Sequence, residues 1–105
     1  MDLKQLEYII KIAEENNITR AAEKLFITQS ALNQQLLRLE KELGTPLFYR
    51  SRTNWRPTEA GKVYLENARK ILQIKHQTYS IISDIAATSK GNCLLYTSDA
   101  ADDLI

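Results

Sequence analysis

Residues 28–44 read TQSALNQQLLRLEKELG, and this stretch decides the fold. Thr28 can cap a helix by accepting a hydrogen bond from a free backbone N–H, and Gly44 can take the left-handed conformation that ends one. At about 100° per residue, Leu32, Leu36, Leu39 and Leu43 fall on one narrow stripe, with Ser30, Asn33, Gln34 and Lys41 on or near the opposite face. The spacing predicts a capped amphipathic helix whose N-terminal half carries a patch of amides and hydroxyls. Such groups donate and accept together, as base edges in the major groove require, although an ordinary surface helix has the same pattern.

Upstream, Leu3, Leu6, Ile9, Ile10 and Ala13 recur at helical spacing and predict a helix over residues 3–15, with Lys4, Glu7, Lys11 and Glu14 outward. Asn16 and Asn17 end it. Thr19 is a second N-cap candidate, opening a short helix over 20–25 whose Ala21, Ala22 and Leu25 face inward. Small alanines there let another helix approach closely. Phe26 and Ile27 form a tight apolar turn before Thr28. Two helices joined by so short a turn, the second bearing the polar patch, form a helix-turn-helix, with a generic helical hairpin as the competing reading.

Downstream, Thr45-Pro46 stops the helix, and Leu47, Phe48 and Tyr49 read as a short strand. Residues 51–54 can turn the chain so that Trp55-Arg56 return as a second strand before Pro57. Arg50, Arg52 and Arg56 lie in or beside this hairpin with no acidic residue among them. A cationic hairpin after the second helix is a wing that can reach phosphates or the adjacent minor groove. Arg50 has an alternative inside the domain, an ion pair with Glu40 or Glu42.

Thr58 caps a last helix, with Glu59 near its positive end, that extends to about Ala87. Tyr64, Ile71, Thr78 and Ile85 repeat every seven residues, with Ile74 and Ile81 between them, and Leu65, Leu72, Tyr79 and Ala86 form a second such row. A helix this long in so small a chain has more apolar face than its own domain can cover, which points to a second copy as its partner. Tyr64, Leu65, Ala68, Ile71, Leu72, Ile74, Tyr79, Ile82 and Ile85 are the expected dimerisation residues.

The 105 residues fit one small core, and no apolar run approaches the roughly 18 residues needed to span a bilayer. The acidic start without a small-residue cleavage site does not resemble a signal peptide, so the expected location is cytoplasmic. One cysteine, Cys93, and one histidine, His76, offer no disulfide and no metal-ligand spacing. With no phosphate loop or nucleophile elbow either, the expectation is no enzyme, no metal and no cofactor. The net charge of +1 is unevenly spread, since residues 16–57 hold seven basic side chains against three acidic ones. That excess points weakly to an anionic partner.

The segments ITRAAEKLFITQSAL, LRLEKELGTPLFYR and PTEAG, in that order and spacing, resemble the N-terminal domain of LysR-type transcriptional regulators over residues 1 to about 90. The resemblance implies a mainly α fold: a winged helix-turn-helix over 1–58 with a small β-hairpin wing, then a long dimerisation helix over 59–90. It also implies sequence-specific binding of double-stranded DNA at a partly palindromic promoter site, by a homodimer or higher homo-oligomer. The family's DNA-facing positions match Thr28, Gln29, Ser30, Asn33 and Gln34, with Arg52 in the wing. Arg50, Arg56, Thr19 and Arg20 complete the expected DNA-binding set. Position 33 is usually Ser in the family, and positions 34 and 37 often carry a basic residue where this chain has Gln34 and Leu37. Phosphate contacts are therefore expected mainly from the wing.

From Cys93 the chain reads CLLYTSDAADDLI, which resembles a translated sequencing-library adapter rather than a linker to an effector-sensing domain. With its three Asp left out, the net charge of +1 becomes +4. Residues 91–105 are accordingly expected to be a disordered, non-native tail on a truncated chain, with any small-molecule effector bound only by the missing domain. The rival to DNA binding is a helical protein-interaction module, which would bury the patch at Gln29, Ser30 and Asn33 against another protein.

Overall fold

In a computed structural model of the chain, the backbone is described for residues 2–52 and 54–93 and side chains to residue 88. Element order is α1 (Leu3–Glu15), α2 (Ile18–Leu25), α3 (Gln29–Leu43), β1 (Phe48–Tyr49), β2 (Arg56–Pro57) and α4 (Glu59–Cys93). The expected tail from residue 94 onward lies outside the described residues. No helix among the described residues is long and apolar enough to cross a membrane.

Each helix of the first half begins and ends on local chemistry. Asp2 caps α1 by accepting from the Gln5 N–H at 2.8 Å, and Asn16 ends it in the left-handed region at φ 54°. Asn17, not Thr19, then caps α2: its backbone is extended and its side chain accepts from the Arg20 N–H at 2.9 Å. Ile18 thereby becomes the first helical residue and is buried, while Thr19 sits on the exposed side of the helix. Phe26 closes α2 at φ 60° with its ring 94% exposed, so only Ile27 of the expected apolar turn packs against the core. As expected, Thr28 caps α3 and Gly44 ends it at φ 80°.

The core is formed where these helices meet. Ile9, Ile12, Leu32, Leu36 and Leu39 are fully buried, and Ala21 and Ala22 provide the close approach expected of them. Ile12 is a core residue outside the expected apolar row, whereas Leu3 and Leu43, both on expected stripes, are exposed. Each of the exposed pair lies at a helix end, where the stripe runs past its neighbours.

The wing is smaller than expected and its second strand is offset by one residue. Phe48 pairs with Pro57 and Tyr49 with Arg56, antiparallel, so Leu47 and Trp55 lie just outside the strands. Both are buried instead, with Trp55 tilted against Phe48 at 6.0 Å between ring centroids. The Trp55 N–H donates to the Asn16 carbonyl at 2.9 Å, tying the wing to the turn between α1 and α2.

Thr58 joins the wing to α4 through one hydroxyl, which donates to the Pro46 carbonyl at 2.8 Å and accepts from the Gly61 N–H at 3.0 Å. Gly61 is buried so tightly that a Cβ would collide with the Leu47 carbonyl oxygen, which explains the glycine of PTEAG.

Two compact units divide the chain, Met1–Leu72 and Gln73–Ile105, with the division inside α4. The cause is Leu65 and Ala68, buried to 4% and 1% in the core of the first unit. At its other end α4 continues to Cys93, past the expected end near Ala87.

Candidate nucleic-acid interface

The first turn of α3 presents Thr28, Gln29 and Ser30 to solvent, with Gln34 exposed and Asn33 half-buried one turn on. The Thr28 hydroxyl oxygen accepts from the Ala31 N–H at 3.0 Å, so its proton is left to donate outward. Free backbone N–H groups and the positive end of the helix dipole add attraction for anions at this end. Thr19 on α2 reaches the same end: its hydroxyl donates to the Gln29 Oε1 at 2.8 Å. Thr19 and Gln29, ten residues apart in sequence, are thus brought into direct contact. Arg20, beside Thr19, is exposed.

In the wing the three arginines have different settings. Arg50 donates to Glu40 Oε1 at 2.7 Å and lies over the Trp55 ring at 5.2 Å. Glu40 is buried to 8%, and its second oxygen accepts from the Leu47 N–H at 2.7 Å. Of the two partners open to Arg50, the structure selects Glu40. Arg50 is therefore tied into the domain, with its side chain still 35% exposed. Arg56 is exposed and lies over the Tyr49 ring at 5.5 Å, across the strand pair. Arg52 is exposed between Ser51 and Asn54, which close the tip through Ser51 Oγ donating to the Asn54 carbonyl at 2.7 Å.

The residues expected at a dimer interface differ in burial: Leu65 and Ala68 belong to the interior of the first unit. Tyr64 and Leu72 are half-buried against the same core, and Ile71 is 39% exposed. The Tyr64 hydroxyl is buried without a hydrogen-bond partner among the described residues. Its pKa is pushed up to about 12, first by burial and then by the negative charges of Asp2 and Glu42. In the second unit Ile74, Tyr79, Ile82 and Ile85 are exposed, joined by Ile81, which the expected set omits.

In sequence Glu40 is one possible partner of Arg50, and its hold on the Leu47 backbone depends on a fold that helical periodicity does not specify.

Three short helices with a capped recognition-type α3, followed by a two-stranded hairpin, define a winged helix-turn-helix domain. The chain belongs to the family of bacterial regulatory helix-turn-helix proteins described as the lysR family, whose pattern matches residues 3–62. It is 42% identical over 92 residues to the HTH-type transcriptional regulator BudR of Klebsiella aerogenes, covering 88% of this chain and 64% of that one. It is 38% identical over 91 residues to the nitrogen assimilation regulatory protein nac of the same organism, covering 87% of this chain and 30% of that one. The chain thus spans less than two thirds of the length of these relatives, one named a transcriptional regulator and the other a regulatory protein. Among solved structures, the CbnR DNA-binding domain in complex with DNA superposes with a TM-score of 0.75 at 35% identity, over 82% of this chain and 99% of that one. The BenM DNA-binding domain bound to catB site 1 DNA gives 0.78 at 36% identity, over 82% and 96%.

Proposed function

We propose that this chain binds double-stranded promoter DNA sequence-specifically as a homodimer, each α3 entering a major groove of a partly palindromic site. The observation that carries the reading is the open first turn of α3, where Thr28, Gln29 and Ser30 are exposed at the positive end of a capped helix. Asn33 and Gln34 extend that patch along the helix, and a protein burying it against its own core would leave no such row of amides. Arg52 and Arg56 in the wing, with Arg20 on α2, supply phosphate contacts around it. The similar domains solved in complex with DNA support DNA as the partner.

Dimerisation falls to the apolar residues of the second unit, Ile74, Tyr79, Ile82 and Ile85. Their exposure fits a surface that a second copy covers. A protein reading promoters in a bacterium works in the cytoplasm.

The test is a mobility-shift selection from a random duplex library at several salt concentrations. Enrichment of a palindromic motif is expected, with affinity falling steeply as salt rises because phosphate neutralisation releases counterions. Binding without sequence preference at any salt would refute the reading. Gln29→Ala should relax preference at one position per half-site at a cost of about 1–3 kcal/mol.

A further inference from the structure

We propose that Tyr49 is a positioning residue of the wing, whose ring face holds the Arg56 guanidinium with its N–H edge open to a DNA phosphate. The inference rests on the DNA-binding reading above and deepens it.

Packing of the domain does not account for Tyr49. Its neighbour on β1, Phe48, is buried, whereas Tyr49 keeps 56% of its surface exposed. Antiparallel pairing sets Tyr49 directly opposite Arg56, and opposed residues share one face of a hairpin. The Arg56 guanidinium lies over the Tyr49 ring, 5.5 Å from its centroid, within the range at which a cation is attracted to an aromatic face. Arg56 has no ion pair among the described residues, in contrast to Arg50, which Glu40 holds. The kind of holder matters for what the cation can still do. A carboxylate neutralises a guanidinium and takes up its donors, while a ring occupies one face and leaves the N–H groups around the edge for an acceptor. The guanidinium has donors only and two equivalent faces, so either face against the ring offers the same edge. Below the pair, Phe48 and Trp55 are buried and in contact, so a side chain held against β1 is held against the domain. An arginine loses rotamer freedom when it closes on a phosphate, and one already held loses less.

Tyr49 therefore acts through Arg56, and its effect should vanish when Arg56 is absent. The experiment takes the duplex that wild type enriches from the random library and measures affinity at several salt concentrations. The proteins are wild type, Tyr49→Phe, Tyr49→Val, Arg56→Ala and the double variant Tyr49→Val with Arg56→Ala, each first checked for helix content and melting temperature. Valine keeps the preference for a strand and removes the ring. Arg56→Ala should weaken binding and lower the salt slope by about 1, as expected for one lost phosphate contact. Tyr49→Val should weaken binding by roughly two- to fivefold, the factor equivalent to a cation–π contact at an exposed site, with the salt slope unchanged. In the Arg56→Ala background the same substitution should change nothing, because a double-mutant cycle cancels any loss that does not pass through the pair. Tyr49→Phe, which keeps the ring face, should bind as wild type does. A loss in Tyr49→Val that persists without Arg56 would overturn the positioning role, as would Tyr49→Phe binding as weakly as Tyr49→Val. Tighter binding by Tyr49→Val would mean that the ring holds Arg56 away from the phosphate, and an unchanged salt slope in Arg56→Ala would mean that there is no such phosphate; either result overturns the proposal. If wild type itself enriches no duplex, it is the DNA-binding reading that fails.

Discussion

Replacing Glu40 should cost more than replacing the arginine it holds. Its carboxylate, buried to 8%, accepts from the Leu47 N–H and from Arg50, each at 2.7 Å. Hydrogen bonds to a charged group contribute about 1.5–3 kcal/mol each, and a buried N–H left without a partner costs about 1–3 kcal/mol. The Arg50 side chain is 35% exposed and can turn to water, so its share is discounted toward that of a surface pair, below about 1 kcal/mol. The Leu47 N–H has no such escape. Glu40→Ala should therefore destabilise by about 3 kcal/mol, most of it from the stranded backbone donor. Glu40→Gln, which keeps an acceptor oxygen, should cost about 1 kcal/mol, and Arg50→Met about the same. For a domain of this size about 1 kcal/mol corresponds to roughly 4–8 °C in Tm, so the alanine variant should melt more than about 12 °C below wild type. Urea unfolding followed by circular dichroism measures all three. The reasoning fails if Glu40→Ala costs less than about 0.5 kcal/mol, or if Arg50→Met is as damaging as Glu40→Ala.

Gly61→Ala should destabilise by about 2 kcal/mol net, because strain against the Leu47 carbonyl outweighs the gain in helix propensity; a thermal melt above that of wild type would contradict it. Tyr64→Phe removes a buried hydroxyl that has no partner among the described residues and should be neutral or stabilising by up to about 1 kcal/mol in denaturant unfolding. The same variant carries a pH signature. With the Tyr64 pKa raised from 10.0 to about 12, the folded state holds the proton that the unfolded state releases first, so wild-type stability should decline between those values. Tyr64→Phe should lack that part of the decline. Ile82→Asp should convert the dimer to monomer in sedimentation and weaken operator binding, and an unchanged dimer would place the interface elsewhere.

Local chemistry made much of this fold legible in the sequence. Thr28 and Gly44 bracket α3 because a cap and a left-handed glycine act within a few residues of themselves. The same logic failed at Thr19 because two candidates stood two residues apart, and Asn17, extended with its side chain on the Arg20 N–H, is the cap. Non-local facts were harder to reach. Glu40 lies among charged neighbours in sequence and is buried only because Leu47 and Arg50 come to it. Heptad spacing puts Leu65 on an apolar row, and Leu65 is buried in the core, but a period does not say whether a contact lies within the chain or between two copies. The Thr19–Gln29 contact joins two residues that sequence reasoning had placed at the site separately, and only the packing of α2 on α3 makes them a pair.

The wing gains its meaning from how it is fastened. The Leu47 N–H is bound to Glu40 at 2.7 Å, the Trp55 N–H to the Asn16 carbonyl at 2.9 Å and the Thr58 N–H to the Leu47 carbonyl at 3.0 Å, and Ser51 and Asn54 close the tip. A hairpin held in this way has little conformational entropy left to lose when it meets a surface. Arg52 is then a charge carried next to a fastened Ser51, so an anion that met it would find its backbone anchor on one side already in place.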